Sequence, residues 1–200
     1  MASTASWLGC SRLPAVEIVD GRLAGVKLIT PRVHGDERGF FLESFRADVL
    51  TGVAGGITFL QDNHSRSRHG IVRGMHFQPG QWKLVRCARG AIFDAVVDIR
   101  PGSSTFGQWE GYELNDETHV QLLVPDGFAH GFCVLSDVAD VTYKVSSYYD
   151  PAAEGGFRFD DPAVGIDWPL PTEQLIASAR DTGAPTLAEI RPSPSPGHIA

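Results

Sequence analysis

The 200-residue sequence has no apolar run near the roughly 20 residues that a membrane-spanning helix needs, so no membrane partner is expected. Its opening residues, MASTASWLGCSR, have neither a basic start nor a long apolar stretch, which argues against a secretory signal. Cysteine is scarce: Cys10, Cys87 and Cys133 are far apart, odd in number and form no CxxC or other zinc spacing. That pattern suits thiols in a reducing, cytoplasmic setting rather than a disulfide scaffold. Blocks of like charge are missing too. The net charge of −7 argues against nucleic acid, which rewards basic patches, but leaves room for an anionic small ligand held by local arginines. No GxGxxG fingerprint occurs, so neither a nicotinamide nor a flavin cofactor is implied.

What is present is turn chemistry. The 22 glycines and 13 prolines punctuate short apolar runs along the whole chain. Residues 91–100, AIFDAVVDIR, alternate with period 2, setting Phe93, Ala95, Val97 and Ile99 on one face and Asp94 and Asp98 on the other, as in a partly buried strand. Similar runs fall at 25–29, 83–88, 119–124, 130–135 and 139–147, separated by Pro-Gly, Arg-Gly and Pro-Asp-Gly turns. Many short strands at this spacing predict an all-β sandwich or barrel. Helix signals are few: 43–51, and 172–179 with Thr172 as its cap. Residues 1–191 read as one domain, and the Pro/Ser-rich stretch 192–200 as a disordered tail.

Four polar clusters interrupt the strands: Asp36–Glu43, Gln61–Gln78, Pro125–Phe132 and Ser178–Asp181. The Pro-x-Gly-x-x-His turn ending at His130 resembles the second half-motif of cupin barrels, whose His ligates a metal. A metal site needs three or four converging ligands. The strand that would supply the others offers His76-Phe77-Gln78, with no second His and no Glu before Gly90, so no metal is expected. Arg73 lies three positions from His76, which in a regular strand puts them on opposite faces; an irregularity at Gly74 would change that. Gln61, Asn63 and Arg73 are groups that a barrel interior accepts only if a ligand or a network satisfies them. Two histidines with cationic and amide neighbours suit an anionic, hydroxyl-rich ligand.

Six segments in order, DERGFFLESF (36–45), QDNHSRSRHGIVRGMHFQ (61–78), the run 83–109, VPDGFAHGF (124–132), VTYK (141–144) and ARDTGAPTLAEI (179–190), resemble the dTDP-4-dehydrorhamnose 3,5-epimerase family over roughly 17–191. The resemblance implies a double-stranded β-helix, or cupin-like jelly roll, and an isomerase acting without a cofactor on a dTDP-linked 4-keto-6-deoxy sugar. It implies that His76 is the base, Asp181 its carboxylate partner and Tyr143 the acid on the opposite face. Lys83 and His130 would lie near the ketone oxygen or the sugar. Arg38, Glu43, Gln61, Asn63 and Arg73 match positions that hold the nucleotide. The family's homodimers exchange N-terminal strands, so Arg38 and Glu43 are expected to serve a neighbouring subunit.

The chemistry fits these residue types. A 4-ketone acidifies the hydrogens on C3 and C5, so an imidazole with a pKa near ~6.5 is an adequate base if donors stabilise the enolate oxygen. Inversion needs a base and an acid on opposite faces of the ring. Single-position epimerases of deoxysugars keep the same His, Tyr and Asp, so these residues do not distinguish C3 from C5. A metal-dependent cupin and a non-catalytic sugar-nucleotide-binding barrel are the alternatives from other classes. One departure stands out: only Pro79, Gly80, Gln81 and Trp82 separate the His76 strand from Lys83, fewer than is usual, which bears on specificity.

Overall fold

The computed structural model describes residues 16–190; Cys10 and the stretch 192–200 lie outside them. Strands β1 (Glu17–Asp20), β2 (Lys27–Thr30), β3 (Val33–Asp36) and β4 (Gly39–Leu42) precede the short helix α1 (Ala47–Val53). Next come β5 (Gln61–Arg68), β6 (Val72–Phe77), β7 (Lys83–Arg89), β8 (Ala91–Asp98) and β9 (Trp109–Asn115). After them run β10 (Gln121–Val124), β11 (Phe128–Val134), β12 (Val138–Val145), the two-residue β13 (Gly155–Gly156) and a final turn of helix, α2 (Ala179–Thr182).

These strands build a jelly roll. One sheet has the order β1-β2-β10-β7-β12-β5 and the other β13-β6-β11-β8-β9, while β3 and β4 pair only with each other. Side chains from both sheets interdigitate between them: Val85, Leu122 and Val141 from the first meet Ile92, Val96 and Phe132 from the second. The outer faces are covered as well. Leu50 of α1 and Ala54 just after it pack on Ile29, Leu84 and Leu123, and Phe157, Val164 and Leu187 cover Ala95, Val97 and Ala129. Strands buried on both faces are apolar at most positions, and β10 and β11 are so apart from Gln121 and His130.

Two expectations are corrected by this layering. Asp94 and Asp98 do not face water; both are fully buried, because their face of β8 points between the sheets. A buried carboxylate must be paired. Asp98 accepts bonds from Arg100, Ser103 and Thr105, and Asp94 from His130. The helix expected at 172–179 is only a 3-10 turn at Thr172–Gln174, with no side-chain cap from the preceding Pro171. Ile176 is drawn into a parallel bridge with Ile71, so the chain runs extended there and turns helical only after Ser178.

Candidate active site

A cavity of about 670 Å³ opens between the sheets, bordered by β5 on one side and β6 on the other. That volume suits a small organic ligand. Eight of the ten candidate residues line it: Gln61, Asn63, Arg73, His76, Lys83, His130, Tyr143 and Asp181. Arg38 and Glu43 do not. Arg38 sits on the exposed β3–β4 turn, held by Asp36, and Glu43 accepts a bond from Arg46 at 3.3 Å.

Strand alternation explains most of this set. On β5 the inward positions are Gln61, Asn63, Ser65 and Ser67, with Asp62, His64, Arg66 and Arg68 pointing out. Asn63 pairs with Tyr143 on β12, and Lys83 opposes Val145. Strand β6 is irregular. His76 opposes His130 and Arg73 opposes Phe132, so three steps on β6 span two on β11. This one-residue bulge turns Arg73 and His76 to the same side. It is centred where Gly74, at φ 140°, crosses Gly131. A Cβ on Gly131 would come within 2.7 Å of Met75 Sδ and 2.8 Å of the Arg73 carbonyl.

His76 Nε2 lies 2.7 Å from Asp181 Oδ1. Asp181 is 5% exposed, and Ser178, which caps α2, accepts its backbone N–H at 3.1 Å. The carboxylate selects the tautomer that donates from Nε2, leaving a lone pair on Nδ1. Burial lowers the imidazole pKa from its usual value, outweighing the opposing pull of Asp181, so the ring is neutral at neutral pH. Lys83 is buried and donates to the His76 carbonyl at 3.2 Å; burial brings its ammonium down to about 8. Tyr143, on the facing sheet, has its phenol pushed up by burial, with Arg73 pulling the other way, so it keeps its proton.

His130 forms a second pair, its Nε2 2.9 Å from Asp94 Oδ2. Asp94 was legible only as an outward acid, since its partner sits diagonally across the β8–β11 ladder. Tyr149, Glu154 and Arg180 also line the cavity and had no assigned role. Arg180 stands beside Asp181 in sequence, a hint that was available; Glu154 sits among loop residues with no motif. Among the described residues, no three His, Cys, Asp or Glu side chains converge as metal ligands.

A jelly roll with a carboxylate-held neutral imidazole on one sheet and a protonated phenol on the other, in a cavity rich in cations, defines an enzyme that moves protons on an anionic, polar ligand. The sequence profile described as dTDP-4-dehydrorhamnose 3,5-epimerase matches residues 20–189, and the chain belongs to that family of isomerases. It is 47% identical over 174 residues to the Salmonella typhimurium dTDP-4-dehydrorhamnose 3,5-epimerase, covering 85% of this chain and 94% of that one. The Legionella pneumophila dTDP-6-deoxy-D-glucose-3,5-epimerase, solved in complex with dTDP-4-keto-L-rhamnose, superposes with a TM-score of 0.85 at 46% identity, covering 88% of this chain and 95% of that one. The Streptomyces niveus dTDP-4-dehydrorhamnose 3-epimerase is 43% identical over 195 residues, covering 88% of this chain and 94% of that one.

Proposed function

We propose that this enzyme inverts C3 and C5 of a dTDP-linked 4-keto-6-deoxyhexose, with His76 as base, Asp181 as its partner and Tyr143 as acid. One observation carries the reading: the His76–Asp181 pair and Tyr143 project into one cavity from opposite sheets. His76 Nδ1 takes the proton from the carbon beside the ketone, leaving an enolate and an imidazolium. The Lys83 ammonium stabilises the oxyanion, and His130, held by Asp94, lies against the sugar. Tyr143 gives its phenolic proton to the opposite face, and both groups return to their starting state by exchange with solvent. Arg73, with Gln61 and Asn63, serves the diphosphate and nucleoside.

The β3–β4 hairpin supports a homodimer with exchanged N-terminal strands. It pairs with neither sheet and exposes Phe40 and Phe41, and Arg38 and Glu43 next to them lie outside their own chain's cavity. Residues 1–191 form one domain in this reading. The free, buried thiols of Cys87 and Cys133 suit a reducing cytoplasm.

Proton NMR in deuterated water tests the proposal. Exchange at both C3 and C5 is expected, and His76→Ala should abolish it while dTDP binding persists; exchange retained in that variant sinks the mechanism. A second reading, inversion at C3 alone, is favoured by the Streptomyces niveus relative, and exchange confined to C3 would establish it.

A further inference from the structure

The short connection between β6 and β7 carries two glutamines, and both reach the segment that follows β12. Their amides meet at Ser147. Gln78 is buried, and both ends of its amide are satisfied within the protein. Its Nε2 donates to Ser147 Oγ and to the Tyr148 carbonyl, each at 3.0 Å, and its Oε1 accepts the Asp150 N–H at 2.9 Å. Gln81 is satisfied at one end only. Its Nε2 donates to the Ser147 carbonyl and to Ser147 Oγ, each at 3.2 Å, and among the described residues nothing donates to its Oε1. A carbonyl can only accept, so the Ser147 oxygen fixes which end of the amide faces it. The acceptor end is left over, on a side chain that lines the cavity.

We propose that Gln81 is a specificity-determining residue: its Oε1 accepts a hydrogen bond from the hydroxyl on C3, beside the ketone of the bound sugar. The inference rests on the function proposed above, with His76 as base and Lys83 at the ketone oxygen. Gln81 precedes Lys83 by two residues. The chain is extended between them: the Trp82 N–H donates to Ser146 Oγ at 2.8 Å, and the Trp82 carbonyl accepts the Ser146 N–H at 3.1 Å. In an extended chain, side chains two apart point the same way from Cα atoms roughly 6–7 Å apart. Both line the cavity, and the bond from Lys83 to the His76 carbonyl keeps the ammonium at the reacting end. A sugar whose C4 oxygen meets Lys83 carries its C3 oxygen next to it, toward the free acceptor of Gln81. That acceptor has no proton to give, so it selects a donor: a hydroxyl satisfies it, and a hydrogen in the same place leaves it unpaired. Because Ser147 already holds the amide, little side-chain freedom is lost on binding.

The test sets two substrates against two enzymes: the dTDP-linked 4-keto-6-deoxyhexose and its 3-deoxy counterpart, each with the unmodified enzyme and with Gln81→Leu. Solvent exchange at the carbons beside the ketone is the common readout, since both sugars carry hydrogens there. For the hydroxylated sugar, kcat/KM should fall by roughly 2- to 12-fold in Gln81→Leu, the effect of one hydrogen bond. For the 3-deoxy sugar it should stay within about twofold, because the bond was never made. Binding of dTDP alone, followed by calorimetry, should not change. An equal fall on both sugars reduces Gln81 to a tie between two loops and overturns the proposal. A matching loss of dTDP affinity also overturns it, since the acceptor would then serve the imide N–H of the base. If the leucine variant fails to melt cooperatively, Gln81→Asn replaces it: the amide is kept but drawn back by one methylene, and the same selective loss is expected. Unaltered discrimination between the two sugars in that variant is again fatal. Loss of exchange in His76→Ala together with equal falls in Gln81→Leu rejects only the role of Gln81. Exchange retained in His76→Ala rejects the reading beneath it.

Discussion

Replacing Asp181 with Asn isolates the contribution of the carboxylate to proton abstraction. The two side chains are nearly isosteric, and the Ser178 cap binds the residue 181 backbone N–H, which the substitution leaves in place. An amide oxygen can still accept from Nε2, so the tautomer survives and the negative charge does not. A hydrogen bond to a charged group is worth ~1.5–3 kcal/mol against about 1 for a neutral one, and the imidazolium that forms in the transition state feels the difference fully. The bond is short, at 2.7 Å, and its acceptor is buried, which favours the upper part of that range. The difference, about 1–2 kcal/mol, corresponds to a fall of roughly 5- to 30-fold in kcat. The sign of the pH effect follows from the same pair. Burial already places the acid limb below the usual histidine value, and Asp181 is what raises it, so the Asn variant should show its acid limb lower still. Proton NMR exchange rates across pH, with calorimetry of dTDP binding as a control, measure both effects. An exchange rate within about twofold of the unmodified enzyme, with the acid limb unmoved, would refute the assignment of Asp181.

Lys83→Met should remove the basic limb near pH 8 and lower kcat throughout, because the ammonium proposed to stabilise the enolate oxygen is gone. The same change should stabilise the fold at neutral pH by about 1 kcal/mol or more, since a buried ammonium with a depressed pKa costs stability below that pKa. In the unmodified protein, denaturant melts should show stability rising between about 8 and 10.5, where the unfolded chain still binds the proton, and the Met variant should lack that rise. Tyr143→Phe removes the opposing acid but not the base; solvent deuterium should enter the substrate with its configuration retained, and product epimer formed at the normal rate would rule the role out. Gly131→Ala drives a methyl into Met75 and the Arg73 carbonyl, so thermal melts should show a loss of about 1–3 kcal/mol together with lower activity.

Legibility in the sequence followed the apolar pattern. Strand β8 was visible because Phe93, Ala95 and Val97 alternate, and β7 and β12 because their apolar runs end at clear turns. The pattern misled at Asp94, where an inward acid is indistinguishable from an outward one until the His130 across the ladder is known. It misled again at 172–179, where Leu175 and Ala177 are as compatible with an extended segment covering Val72 and Cys133 as with a helix. Strand β5 gave no apolar signal, since both its faces are polar. The catalytic candidates were legible through motif resemblance and not through periodicity. Arg73 and His76 share a face only because of the bulge, which the spacing left open and the cross-strand register resolves.

The polar character of β5 has a consequence for how the cavity keeps its shape. A strand with one apolar face is locked in register, because a slip of one residue would turn that face to water. Strand β5 has no such face, and it ends its sheet, so among the described residues nothing pairs with its far side. Its alignment falls instead to charges on the outer surface: Lys144 holds Asp62 at 2.7 Å, Arg66 grips Asp140 with bonds of 2.7 and 2.8 Å, and His64 reaches the same carboxylate at 3.0 Å. These contacts decide that Asn63 and Gln61, rather than Asp62 and His64, look inward beside Tyr143. The lining of the cavity is thus indexed from outside, by ion pairs that share none of its space. Surface charge here acts as the ratchet for an interior that carries no hydrophobic key.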